Sequence, residues 1–223
     1  MTTLWDAVVI GGGAAGLFCA GVAGQLGKKV LVVDHAPVLG EKIRISGGGR
    51  CNFTNVHSSP AHFLSLNPHF VKSALARYPS KEFIKLVAAH GIGYHEKHQG
   101  QLFCDDSAKQ IVQMLLSECA KGKVTIRHPV VVQSIAQEAD QWLVNIDGGQ
   151  IKTKSVVMAT GGLPVPAIGA SAYSLDIAKQ FGLSVVHPRP ALVPLSFTAE
   201  SFGSLSELAG LSVPVRIFSG IKG

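Results

Sequence analysis

The sequence predicts an α/β fold built on a parallel sheet, with an inserted three-stranded β-meander and the start of a second domain after it. Three observations carry this prediction. The chain opens with a β-branched strand, a Gly-rich turn, a helix and a second apolar strand. Short strand patterns from Val130 to Met158 then form a meander whose last, apolar part returns toward the parallel sheet. Finally, the 223 residues are 47% hydrophobic with mean hydropathy +0.30, enough to bury a real core.

In chain order, "WDAVVI" at 5–10 reads as a buried parallel strand. "AAGLFCAGVAGQLG" reads as a helix ending at Gly27, and "KKVLVVD" as the next strand. Residues 41–55, "EKIRISGGGRCNFTN", read as a Gly-rich loop. Two helical pieces follow. "HFVKSALARY" stops at Pro79, and "SKEFIKLVAAHG" starts at a capping Ser80 and ends at Gly91. "YHEK" and "QLFC" are short strand candidates, and "SAKQIVQMLLSECAKG" is a further helix. "KVTIRH", "PVVVQSIAQ", "QWLVNID" and, past a Gly148-Gly149 turn, "QIKTKSVVMATGG" read as strands. A helix is predicted over about 171–181. "HPRPALVPLSF", with Pro188, Pro190 and Pro194, is an extended connector, and "VPVRIF" near the end is strand-like.

Composition sets limits on function. The formal charge is +6 and the pI about 9.2, a positive field that suits anionic ligands such as nucleotides or RNA, without a Lys/Arg run that would mark a nucleic-acid tail. Cys19, Cys51, Cys104 and Cys119 form no C-x-x-C pair and read as reduced thiols, so a cytoplasmic protein is expected. The charge-poor N-terminal stretch lacks a basic n-region and has three adjacent glycines, so neither a targeting segment nor a membrane span is expected. The nine histidines show no metal-ligand spacing, and no metal is expected.

The first chemical motif is "VVIGGGAAG". Gly11, Gly13 and Gly16 satisfy G-x-G-x-x-G between a predicted strand and helix, the Rossmann-like arrangement. Gly11 permits the turn, Gly13 lets a pyrophosphate approach the backbone, and Gly16 lets the helix pack on the strand. The phosphates would sit at the helix N-terminus, where free N–H groups favour anions. Asp34 ends the next strand, about 18 residues beyond Gly16, against an expected spacing of about 20. Its carboxylate would accept from ribose hydroxyls and repel a 2′-phosphate. With strand, helix, second strand and acid in register, the motif points to a dinucleotide.

The second motif is "SVVMATGG". An apolar strand running into Ala159, Thr160, Gly161 and Gly162 after a meander resembles the second signature of two-part FAD-binding domains, which favours FAD over NAD. The third is "GEKIRISGGGRCNFTN". Within this order of elements it resembles one flavoprotein family, containing aminoacetone oxidase-like enzymes, bile-acid ene-reductase-like enzymes and the ribosomal RNA dihydrouridine synthases. The resemblance continues through "ATGGLPVPAIGAS" and "RPALVPL".

The resemblance implies a bacterial FAD-dependent oxidoreductase, with Lys42, Ser46, Gly47, Gly48, Arg50, Cys51 and Asn52 near the flavin. It also implies cofactor contacts at Ala14, Ala15, His35 and Val131. Hydride would come from NAD(P)H and pass to an unsaturated substrate, a uridine of ribosomal RNA or a small molecule. An amine oxidase or ene-reductase is the enzymatic alternative. A shortened, non-catalytic dinucleotide-binding module is the non-enzymatic one, and direct NAD binding without flavin is a third. The physical reading of the third motif is that bare backbone at Gly47–Gly49 clears space for the cofactor, while Arg50 supplies charge. Asn52 and Asn55 would fix the turn or bond ring edges. Cys51 reads as a packed, inert thiol in preference to a proton donor. Relative to the family, residues 1–196 are expected to form the FAD-binding domain without its closing Gly-rich segment, and 197–223 to open a truncated substrate domain. Relatives more often carry Gly-Tyr where this chain has Ser174-Leu175.

Overall fold

The computed structural model describes residues 3–190 together with Thr198, Pro214 and Arg216. The chain divides into two compact units, residues 1–185 and 186–223, of which the first holds all the elements below. The strand expected at "VPVRIF" and most of the Pro-rich connector lie outside the described residues; His187–Pro190 run without regular structure.

The first unit is built on a parallel sheet with strand order β11-β2-β3-β7. Its strands are β2 (Ala7–Ile10), β3 (Val30–Val33), β7 (Thr125–Arg127) and β11 (Val156–Met158). The apolar runs of β2 and β3 are explained by burial on both faces. Val9, Val30 and Val32 enter one core cluster, while Val8, Ile10, Leu31 and Val33 enter the other. Helices α1 (Ala14–Gln25) and α5 (Lys109–Lys121) cover the first face. Small residues on α1 allow close contact. A Cβ added at Gly21 would touch the backbone of Glu118–Cys119, and one at Gly24 would lie 2.5 Å from the Gly122 carbonyl.

The second face is covered by a sheet of order β1-β10-β9-β8 and by α6 (Tyr173–Gln180). Its strands are β1 (Leu4–Trp5), β8 (Val132–Glu138), β9 (Gln141–Ile146) and β10 (Gly149–Thr153). The expected meander is β8, β9 and β10, and β11 returns to the parallel sheet against β2, with Val156 opposite Val8.

Two strands read as continuous are broken where they change sheet. "WDAVVI" parts at Asp6. The Asp6 carboxylate accepts from the Lys29 amide (2.9 Å) and the Lys154 ammonium (2.8 Å), and Trp5 pairs with Thr153 in the other sheet. "QIKTKSVVM" parts at Lys154–Ser155, where the fully buried Thr153 hydroxyl donates to the Ser155 carbonyl (3.0 Å). Apolar periodicity cannot register such a break, because both halves remain buried.

Residues 41–55 are not a loop. They form α2 (Glu41–Ile45), a 3-10 turn (Ser46–Gly49) and β4 (Asn52–Asn55). β4 joins a small antiparallel sheet, order β4-β6-β5, with β5 (Tyr94–Glu96) and β6 (Gln101–Cys104). Between β4 and β5 lie the helical pieces α3 (Lys72–Arg77), shorter than "HFVKSALARY", and α4 (Ser80–Ala89). Ser80 is not the cap of α4: extended Pro79 holds that position, its carbonyl accepting from the Glu82 amide (2.9 Å), and no side chain caps the helix.

Candidate functional site

The site lies at the carboxyl ends of β2, β3 and β11, the usual place for a ligand on an open parallel sheet. Here the three glycines of the first motif have different surroundings. Gly11 has φ +112, and a Cβ on it would sit 2.3 Å from the Ala159 carbonyl oxygen of the neighbouring strand end. A Cβ on Gly16 would sit 1.8 Å from the Gly11 carbonyl oxygen, so helix and turn touch backbone to backbone. Gly13, the N-cap of α1, faces open space, with no atom within 4 Å of an added Cβ. The start of α1 is therefore a cradle that a side chain would fill. Its first amides have no intrahelical partner, and no acidic side chain occupies the first turn.

Asp34 ends β3 and organises the turn. One carboxylate oxygen accepts from the Gly12 amide and the other from the Ala36 amide (2.7 Å), with the His35 ring nitrogen 3.7 Å away. Gly12 is confined as well: an added Cβ would meet Leu39 Cδ2 at 2.4 Å. Across the groove, Lys42 of α2 reaches the loop after β11, its ammonium donating to the Gly162 carbonyl (2.8 Å). The two signature segments are thus linked by one cation.

Three adjoining cavities form a continuous groove. The first, about 400 Å³, is lined by Asp34, His35, Val131, Thr160 and Tyr173. It shares Gly11, Asp34 and Thr160 with the second, about 490 Å³, which runs over Gly13, Ala14, Ala15, Lys42, Ala159 and Gly161. The second shares Ala14, Ala15 and Lys42 with the third, about 580 Å³. That third lobe holds Ser46, Cys51 and Asn52 against an aromatic wall of Phe18, Phe53, Tyr78 and Phe83. The rings of Phe18 and Tyr78 meet edge-on at 5.0 Å, and Phe53 and Phe83 pack at 6.1 Å. The first lobe carries the Asp34 carboxylate among valines and Ile10, the third carries the aromatic wall, and the open helix N-terminus and Lys42 border the second.

Most of the residues singled out from the sequence meet along this groove. Gly16, Gly47, Gly48, Arg50 and Gly162 do not line it. Gly16 is buried packing. Gly47 to Gly49 have φ +58, +66 and +84, which only glycine adopts freely at three successive positions. They turn the chain between α2 and β4: an added Cβ on Gly47 would strike the Phe103 ring at 2.7 Å, and the Gly49 carbonyl accepts from the Ala108 amide (2.7 Å). The bare backbone there serves a tight turn against β6. The Arg50 guanidinium donates to the Asp105 carbonyl. Asn55 does fix its turn, accepting from the His57 amide and donating to the Gln99 carbonyl, both at 2.8 Å. The Cys51 thiol is 5% exposed and pushed above the ordinary thiol value by burial, so it stays protonated at neutral pH. The aromatic wall and Tyr173 escaped the sequence reading, because no motif marks residues gathered from three helices, a strand and the residue that follows α3.

The glycine turn, the acid ending β3 and the returning strand β11 define a Rossmann-like dinucleotide-binding domain. Comparison with known proteins places it more narrowly: residues 5–213 match the family described as the HI0933-like protein Rossmann domain, and the chain belongs to that family. It is 50% identical to the ribosomal RNA dihydrouridine synthase of Escherichia coli over 94% of this chain and 52% of that protein. It is 48% identical to the protein of the same name from Haemophilus influenzae, over 97% of this chain and 55% of that one. The chain thus spans about half the length of these curated relatives. In solved structures, the glycine oxidase of Geobacillus kaustophilus shares the fold, with TM-score 0.54 at 16% identity over 82% of this chain and 60% of that one. The family resemblance seen in "SGGGRCNFTN" is borne out. Among the described residues no helix is long and apolar enough to cross a membrane, and no cluster of side chains could hold a metal ion.

Proposed function

We propose that this chain is the FAD-binding part of an oxidoreductase that takes hydride from NAD(P)H and delivers it to an unsaturated substrate, a uridine of ribosomal RNA. The observation that carries the reading is the three-lobed groove, with an open helix N-terminus and a lysine at its centre. Residues 1–196 would form the cofactor domain, and 197–223 would begin the substrate domain.

The residues present suit the cofactor. Asp34 has lone pairs left for ribose hydroxyls after serving Gly12 and Ala36. The cradle at Gly13, with the amides of Ala14 and Ala15 and the Lys42 ammonium, suits a pyrophosphate. The aromatic lobe beside Ser46, Cys51 and Asn52 would give the flavin ring apolar contacts. FAD, when bound, supplies the hydride-transfer chemistry, and the protein positions and desolvates it. The RNA substrate is supported by the names of the two bacterial relatives and by the basic pI of about 9.2.

The first test is the visible absorption spectrum of the purified chain and of a version extended to the full length of the relatives. Flavin bands, with FAD released on denaturation, are expected at least in the longer protein. A colourless long protein that also ignores added FAD sinks the flavoenzyme reading. Quenching by NADH without any flavin would instead favour direct nicotinamide binding. Loss of dihydrouridine from ribosomal RNA in cells lacking the gene, restored by the full-length protein, tests the substrate.

A further inference from the structure

The positive charge of the chain is concentrated in one segment. Residues 42–81 hold six Lys and Arg residues and no Asp or Glu, which matches the formal +6 of the whole chain. Outside them, fourteen Lys and Arg balance fourteen Asp and Glu. Three of the six cations already have acceptors: Lys42 donates to the Gly162 carbonyl, Arg44 to the Leu39 carbonyl and Arg50 to the Asp105 carbonyl. The other three, Lys72 and Arg77 of α3 and Lys81 of α4, are exposed, and none forms an ion pair among the described residues. The carboxylates near Tyr78, Glu82 and Glu118, are engaged by Lys85 (2.9 Å) and Lys121 (2.6 Å).

The same segment exposes apolar groups. Phe63 and Phe70 are 40% and 53% exposed, and their rings meet edge-on at 6.5 Å. The chain there is anchored: Val71 is buried, and the Asn67 carboxamide oxygen accepts from the His69 amide (3.0 Å). A hollow of about 470 Å³ lies among Phe63, Leu64, Pro68 and Lys72. Phe63 also lines the third lobe of the groove, as do Leu75 of α3 and Tyr78 just after it. The surface therefore adjoins the lobe assigned above to the flavin ring.

Exposed rings beside unpaired cations, with no carboxylate in the segment, suit a ligand that has flat apolar faces and repeated negative charge. A single-stranded nucleic acid has both, since its bases stack and its phosphates carry the charge. A duplex covers its base faces. A membrane surface would want a long amphipathic helix, and α3 has only six residues. We propose that residues 56–81 form an RNA-docking surface: a single-stranded segment lies across it, with a base on the Phe70 ring and phosphates on Lys72 and Arg77, and leads the target base past Phe63 into the third lobe. The inference rests on the RNA-substrate reading above.

The test is fluorescence anisotropy of a short labelled single-stranded RNA, titrated with the purified chain, and with the version extended to the relatives' length, at several salt concentrations. Phe70→Ala should weaken binding about fivefold or more and leave the salt dependence unchanged, because stacking carries no charge. With a duplex of the same sequence that loss should be absent. Lys72→Gln with Arg77→Gln should make the slope of log affinity against log salt shallower by about 1.4, at roughly 0.7 per lost phosphate contact. Lys28→Gln with Lys123→Gln removes the same charge just before β3 and β7, at the opposite end of the parallel sheet, and should leave the slope as it is. None of these side chains lines the groove, so ADP affinity and the unfolding midpoint should stay at the wild-type values. If RNA binds and neither the Phe70 nor the Lys72–Arg77 variant weakens it, RNA docks elsewhere: this inference falls and the RNA reading stands. If the two lysine and arginine pairs change the slope equally, binding follows the overall charge and the inference again falls. If neither the chain nor the longer protein binds RNA, both readings fall together.

Discussion

Gly13 and Gly16 stand three residues apart and answer to different constraints. Alanine at Gly16 would drive a methyl group into the Gly11 carbonyl, so Gly16→Ala is expected to destabilise the domain by about 3 kcal/mol or more, read by urea unfolding. Alanine at Gly13 meets nothing, so Gly13→Ala should keep the wild-type unfolding curve while ADP affinity collapses, because the methyl group fills the cradle. Equal destabilisation by both would contradict this division of labour. Cys51, Cys104 and Cys119 are buried, the last two thiols pushed up to about 11 by burial, whereas Cys19 is half-buried. The raised values keep these thiols protonated and unreactive near neutrality. At pH 7.5 a thiol reagent should label Cys19 first, and the other three should follow only on unfolding.

At the scale of elements, α1, α4 and α5 meet at one polar cluster. Glu118 of α5 accepts from Lys121 (2.6 Å), from Gln25 at the end of α1 (2.8 Å) and from His90 after α4 (2.7 Å). The Lys121 ammonium, foremost, holds the carboxyl down at about 2, against burial that would raise it. A carboxyl depressed in the folded state contributes stability that is fully present above its unfolded value and is lost as pH falls through the folded one. The stability difference between wild type and Glu118→Gln is therefore expected to be constant above about pH 5 and to vanish as pH approaches 2. Urea midpoints measured from pH 2 to 8 check this, and a pH-independent difference would remove Glu118 from the account. The same scale explains why the stretch 41–55 misled sequence reading. Three consecutive glycines and two asparagines describe a loop by composition, yet Ile43 is buried in the core and Asn52–Asn55 pairs with β6. Long-range pairing outweighed local propensity.

At the scale of the whole molecule, the segment between β4 and α3 exposes Leu64 and Leu66 almost completely, at 94% and 90%, with Phe63 and Phe70 partly exposed beside them. An apolar patch of this kind promotes association. Leu64→Ser with Leu66→Ser should lower the binding of an apolar dye and reduce self-association in sedimentation velocity, without shifting the unfolding midpoint by more than about 0.5 kcal/mol. Unchanged sedimentation would show that the patch has no such role.

The sequence by itself determined the βαβ unit, the meander and the return of β11, because those follow from hydrophobic period and from glycines that only a close backbone contact requires. It also singled out Asp34 and Lys42, and its SGGGRCNFTN string pointed to the family that the chain belongs to. Only the tertiary structure decided that Gly47–Gly49 form a turn against Phe103 and that the aromatic wall closes the apolar lobe. It alone joined Thr160 and Tyr173, thirteen residues apart in sequence, at one cavity. The physical reason is common to all three. A pattern along the chain records which face a residue buries, whereas the partner on that face is supplied by a distant segment whose position no local spacing encodes.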